Sequence, residues 1–216
     1  MNNLNILYED NHLIVVIKPP NVLSQADNTK DADMLTIVKS YLKNKYQKPG
    51  NVYLGLVHRL DRPVGGIMVF AKTSKAAARL SEQITKGLMQ KKYYAIVNGS
   101  LKVKEGSFVD KIEKTPNKKV LLNTISGKEA KLNYRVIKEK ENLTLVDIEL
   151  ITGRYHQIRV QFASRNHPLY GDQLYGTQDR KQIALFAYQL SFLHPITKEK
   201  LIFEKTPEGD IWDFFL

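Results

Sequence analysis

At 216 residues the chain can build one large domain or two small ones, and its 43% hydrophobic and 25% charged content is that of an ordinary globular protein. The net charge of +11 is not ordinary: it suits a protein that meets phosphates, although a lysine-rich solubilising surface gives the same sum. The absence of cysteine excludes disulfides, thiolate metal ligands and a thiol nucleophile. The first ten residues lack a signal peptide's basic start and apolar core, and runs such as residues 13–17 fall far below the ~18 residues of a membrane span, so a cytoplasmic protein is expected.

Residues 6–8 and 13–17 are apolar runs around Asp10-Asn11, a hairpin-like opening closed by Lys18-Pro19-Pro20, where consecutive prolines stop the second strand. Asp33 can cap a helix to about Gln47, with Met34, Ile37, Val38, Tyr41, Leu42 and Tyr46 at helical spacing and Lys39, Lys43 and Lys45 on the other face. Residues 52–57 and 67–71 are rich in β-branched and aromatic side chains and predict buried strands. Between them lies a tight turn fixed by Pro63 and eased by Gly65 and Gly66. Ser74 can cap a second helix ending near Gly87, and residues 92–97 predict a strand closed by Asn98-Gly99.

Residues 107–150 predict an antiparallel meander of four strands at 108–110, 119–122, 130–138 and 143–150, with turns at Ser126-Gly127 and Glu141-Asn142. A helix is expected from about Tyr155 to Arg165, then a loop at residues 168–172, and a last strand pair at 184–193 and 201–204 around His194-Pro195. Strand pairs alternating with helices argue for an α+β fold. The expectation is a mixed, mostly antiparallel sheet with flanking helices, a single domain of residues 1–216 in two lobes around a central basic cleft.

Three stretches carry candidate chemistry. In His58-Arg59-Leu60-Asp61-Arg62 one carboxylate sits between two arginines, which favour its ionised form, the form a nucleophile needs. A protein-kinase catalytic loop is excluded, because Leu60 separates Arg from Asp, no Asn follows at the right spacing, and a Gly-rich loop and D-F-G are lacking. Thr152-Gly153-Arg154-Tyr155-His156-Gln157-Ile158-Arg159 brings two arginines and a histidine to a helix start, where phosphates can be met, although a solvated basic turn would look the same. In Lys91-Lys92-Tyr93-Tyr94-Ala95-Ile96-Val97 alternation puts Tyr93, Ala95 and Val97 on one face. A tyrosine there can stack on a base or simply fill a core. The histidines at 12, 58, 156, 167 and 194 show no ligand-like spacing, so no metal is expected. Phosphate-binding glycine loops and a serine nucleophile elbow are also missing, and no cofactor is expected.

Together these motifs resemble the RluA-type family of RNA pseudouridine synthases. His58-Arg59-Leu60-Asp61 is similar to its H-R-L-D signature, residues 91–99 to K-x-Y-x-A-x-V-x-G, residues 153–159 to G-R-x-H-Q-I-R, and His167-Pro168-Leu169-Tyr170-Gly171-Asp172 to H-P-[IL]-x-G-D. The matches keep the family's order from about Leu7 to Leu201. Where the family commonly reads D-x-x-T-S-G, Val64-Gly65 replaces Thr-Ser here, and the catalytic part alone, without the family's S4-like domain, is expected. The resemblance implies isomerisation of specific uridines in rRNA or tRNA, by a monomer with no membrane and no obligate protein partner. It casts Asp61 as the nucleophile, attacking C6 or C1′ or taking the 2′ proton. Tyr93 stacks on the uracil and helps remove the C5 proton, and Arg159, rather than Arg154, pairs with Asp61. His58, Arg59, Arg62, Arg154 and His156 bind substrate around a flipped-out base. Two other classes fit the residues less well. A non-catalytic RNA-binding or assembly factor has only the lost Thr-Ser pair in its favour, and a glycosidase-like enzyme needs a second acid beside Asp61, a role in which nothing places Asp147 or Glu149.

Overall fold

A computed structural model describes residues 4–29, 31–115 and 120–216. In chain order the elements are β1 (Ile6–Glu9), β2 (Leu13–Lys18), α1 (Met34–Lys45), β3 (Gly55–Leu56), β4 (Gly65–Ala71), α2 (Ser74–Thr85), β5 (Gln90–Asn98), β6 (Glu105–Lys114), β7 (Val120–Leu122), β8 (Lys128–Lys140), β9 (Leu143–Leu150), α3 (Gln157–Ala163), β10 (Leu185–Leu193), β11 (Lys200–Glu204) and α4 (Asp210–Asp213). The chain divides into two compact units. The first comprises Met1–Gln90 with Ala187–Lys205, the second Lys91–Phe186 with Thr206–Leu216. The α+β class and the mostly antiparallel sheet are as the sequence predicts. No helix among the described residues is long and apolar enough to cross a membrane.

In the first unit β2 pairs antiparallel with β1 and β4, β4 with the short β3, and β10 with β11. All seven residues of β4 are buried, as are five of six in β2, and apart from Lys18 both strands are apolar throughout rather than alternating. Leu13, Val15, Ile67, Val69, Leu80 and Phe192 form the core against α2. The Asp33 side chain accepts from the Thr36 amide at 3.0 Å and caps α1 as its sequence position predicts. Met34, Val38 and Leu42 face inward, but Tyr41 and Tyr46 turn their hydroxyls to Glu9, at 3.0 and 2.7 Å. Burial works to raise the Glu9 carboxyl. Hydrogen bonds from Lys45, Lys72 and the two tyrosines outweigh it and bring the pKa down to about 2.

Two boundaries differ from expectation in this unit. Residues 52–57 yield only the two-residue β3, since just Gly55 and Leu56 reach the β4 backbone. Thr73, not Ser74, caps α2, because its extended backbone lets the hydroxyl accept from the Ala76 amide at 3.2 Å.

In the second unit the sheet runs β5-β9-β8-β6-β7. This is not the sequential meander expected. The thirteen-residue β8 lies beside β6 along residues 105–112, while the three-residue β7 pairs only with the far end of β6. Lys119, expected to start β7, lies outside the described residues. Phe108, Tyr134 and Phe162 form a tilted aromatic trio, with centroids 4.7 to 5.9 Å apart, that seats α3 on β6 and β8. A second apolar cluster joins Ile96, Leu145 and Ala184 to Trp212 and Phe215 of α4 and its end, an element the sequence reading did not foresee.

Candidate active site

The turn bearing Asp61 lies in the first unit and is fixed on both sides by buried polar groups. Ahead of it, Ser24 donates its hydroxyl to the Leu60 carbonyl at 2.7 Å and accepts from the Leu60 amide at 3.1 Å. Behind it, the Lys18 ammonium donates to the carbonyls of Pro19 (3.0 Å), Val22 (2.6 Å) and Arg62 (3.0 Å). The Asp61 carbonyl accepts from the Val64 amide at 3.0 Å and closes the turn. Lys18 is fully buried and Ser24 is 5% exposed, whereas Asp61 is half-buried, so hidden polar groups hold a residue that is itself only partly covered. Burial pushes the Lys18 ammonium down to about 7. The Asp61 charge opposes that shift and the Arg62 charge adds to it.

The neighbours of Asp61 divide by role. His58 Nε2 accepts from the Val69 amide at 3.1 Å, which ties the turn to β4 and, in a neutral ring, puts the proton on Nδ1. Arg59 is exposed, and Arg62 forms an exposed ion pair with Asp31 at 2.8 Å. Gly66 is required by strand packing. It has φ +134°, and a Cβ there would stand 2.5 Å from the Ala187 backbone, so the glycine lets β10 approach β4.

The second unit holds the other predicted residues. Tyr93 is 5% exposed on β5, paired with Ile148. Two residues before it on the same face, Lys91 has its Nζ 3.5 Å from where a Cβ on Gly153 would stand, and burial lowers its pKa. The loop ahead of α3 is organised by Gln157, whose side-chain oxygen accepts from the Thr152 hydroxyl (2.8 Å) and the Arg154 amide (3.0 Å). Arg154 donates from Nε to the Glu129 carbonyl at 2.8 Å. His156 sits in left-handed backbone at φ 56° with Nδ1 2.9 Å from the Tyr175 hydroxyl, which delays the helix to Gln157 instead of the expected Tyr155.

Arg159, 5% exposed, grips Asp172 with two parallel bonds, Nε to Oδ2 at 2.8 Å and Nη2 to Oδ1 at 2.7 Å. Burial works to raise the Asp172 carboxyl. The Arg159 bonds and charge, with the Leu174 and Tyr175 amides, outweigh it and hold the group below the usual carboxylate range. The guanidinium also lies over the Tyr175 ring, 5.2 Å from its centroid.

An RNA pseudouridylate synthase family model matches residues 12–164, spanning both the Asp61 turn and Arg159. The chain belongs to the RNA pseudouridine synthase family. A Bacillus subtilis relative described as the uncharacterized RNA pseudouridine synthase YhcT is 36% identical over 216 residues, covering 96% of this chain and 70% of that one. The ribosomal large subunit pseudouridine synthase D of Zymomonas mobilis is 32% identical, with 96% and 70% covered. Among solved structures, human RNA pseudouridylate synthase domain containing 4 superposes with a TM-score of 0.80 at 22% identity over 97% of this chain and 90% of that one, a likeness of fold. As an RluA-type pseudouridine synthase, the protein is an isomerase that converts uridine to pseudouridine in RNA.

For this synthase, sequence reasoning missed Lys18, Ser24 and the pairing role of Asp172. Lys18 had a signal: a lysine ending a strand that is otherwise apolar throughout must either leave the core or find acceptors. Ser24 had none.

Proposed function

We propose that this synthase isomerises a specific uridine of structured ribosomal RNA with Asp61 as nucleophile, and that residues 1–216 act as a single catalytic domain. The observation that carries the reading is the double pinning of the Asp61 turn, Ser24 on Leu60 and Lys18 on Arg62. A nucleophile must be held at a fixed place without losing access to its target, and buried anchors around a half-buried carboxylate provide that. The reaction breaks the N1–C1′ bond, joins C5 to C1′, releases the C5 proton and leaves N1 protonated. Asp61 supplies the group that adds and departs. Tyr93 stacks on the uracil and assists in removing the C5 proton, and Arg159 supports the Asp61 carboxylate, as the family resemblance implies. Arg59, Arg62, Arg154, His58 and His156 contact the RNA around a base flipped out of its helix.

Large-subunit rRNA is favoured over tRNA because relatives in Zymomonas mobilis, Nitrosomonas europaea and Vibrio cholerae carry large-subunit names. Mapping pseudouridine in total RNA with and without the gene tests this. The expected result is loss of one or a few large-subunit sites, restored by the wild-type gene. An unchanged rRNA map with a lost tRNA site moves the substrate to tRNA.

A further inference from the structure

Position 155 is where the G-R-x-H-Q-I-R pattern specifies no residue, and here it is a tyrosine in a column of rings. The inner face of Tyr155 stacks on His156, with centroids 3.7 Å apart and planes 21° from parallel. His156 is fixed in turn by its left-handed backbone and by the Tyr175 hydroxyl 2.9 Å from Nδ1, while the Tyr175 amide donates to Asp172. The Lys114 ammonium lies over the Tyr155 ring 4.2 Å from its centroid. With an imidazole already 3.7 Å from that centroid, the ammonium can only occupy the opposite, outer face. Lys114 is exposed at the end of β6, and a cation held on a ring at the surface is weakly bound.

We propose that the outer face of Tyr155 is a stacking seat for an unpaired nucleobase of the RNA, with Lys114 as a displaceable cap that moves to the adjoining phosphate. The inner half is rigid, which keeps the entropy of binding small, and the outer half carries a ligand that a base can replace with larger contact. A base flanking the target, or one left unpaired when the target uridine leaves its helix, has the chemistry to fill it. The seat would add substrate preference at a residue that the family pattern leaves open, and it rests on RNA being the substrate.

The test uses the full chain and two short single-stranded probes, an oligoadenylate and an abasic ribose-phosphate oligomer of equal length and charge. Neither contains uridine, so the catalytic step does not enter the measurement. Wild type is expected to bind the oligoadenylate on the order of tenfold more tightly than the abasic oligomer. Tyr155→Leu should lose that preference and keep its abasic affinity, while Tyr155→Phe and Tyr155→Trp retain it. Lys114→Met should weaken both probes and reduce the salt slope by about one. Equal preference in wild type and Tyr155→Leu overturns the seat while leaving the RNA reading intact. Failure of wild type to bind either probe or any rRNA transcript overturns both. Loss of abasic affinity in Tyr155→Leu without rescue by Tyr155→Phe reduces the column to a structural support and also overturns the seat.

Discussion

The Lys18 ammonium donates to the Arg62 carbonyl at 3.0 Å across 44 positions of sequence, one residue beyond Asp61. Three carbonyls converge on this one group, and the ammonium has three N–H donors to meet them at a single nitrogen. Replacing it leaves buried acceptors unmet, at about 1–3 kcal/mol for each one that finds no other donor.

The Lys18→Met variant should therefore be less stable, and the gap should change with pH in a defined direction. Folded Lys18 releases its proton near pH 7, while the unfolded side chain holds it to near 10.5. Between those limits the unfolded state binds the extra proton, so raising the pH favours the folded wild type relative to the variant. The slope is at most about 1.4 kcal/mol per pH unit. Urea unfolding of both proteins at pH 7, 8 and 9 measures it. A gap that stays flat over that range would mean that the carbonyls and Asp61 keep the ammonium charged throughout.

Arg159 and Asp172 form a buried bidentate pair, so removing either side chain takes two charge-assisted bonds from the other. Asp172→Ala should destabilise the protein by about 3–5 kcal/mol, because it takes two charge-assisted bonds from a buried guanidinium. Arg159→Lys should also lose stability, since a point charge cannot reproduce two parallel bonds. Denaturant midpoints compare the two. Wild-type stability in Asp172→Ala would mean that the pair contributes no more than a replaceable contact.

Gly66→Ala puts a methyl group 2.5 Å from the Ala187 backbone at a φ of +134°. Neither strand can yield without breaking its own pairing, so a loss of at least about 2 kcal/mol is expected, with β4 shifted. Thermal unfolding of the variant reads this directly. A Tm within a degree or two of wild type would show that the β4–β10 approach is loose.

Tyr93→Phe keeps the ring and removes the hydroxyl. If that hydroxyl helps take the C5 proton, RNA affinity should stay within about twofold while turnover falls on the order of 10²-fold. Equal turnover would leave Tyr93 as a platform only.

The sequence carried these features unequally, for physical reasons. Local signals survived: Asp33 caps α1 as its side chain dictates, and the apolar runs of β2 and β4 became strands because nothing else can bury them. The order of β6, β7 and β8 was hidden, since neighbours in sequence compete with a longer partner only once the sheet forms. The helix start at Gln157 was hidden by His156, whose left-handed backbone is stabilised by Tyr175, nineteen residues later. Around Asp61 the motif itself was legible. Its supports were not, because Lys18 reads as the end of a strand and Ser24 as one more loop serine until folding brings them to the turn. Asp172 stood in a recognised motif, but its partner Arg159 is thirteen residues away and is found only through α3 packing.

The proposed reaction depends above all on the Asp61 carboxylate. The most direct measurement is release of tritium from the C5 position of uridine-labelled large-subunit rRNA transcript by wild type and by Asp61→Asn, with folding of both checked by their unfolding curves. Wild type should release tritium, and Asp61→Asn none above background. Release by a folded Asp61→Asn at the wild-type rate would contradict that dependence.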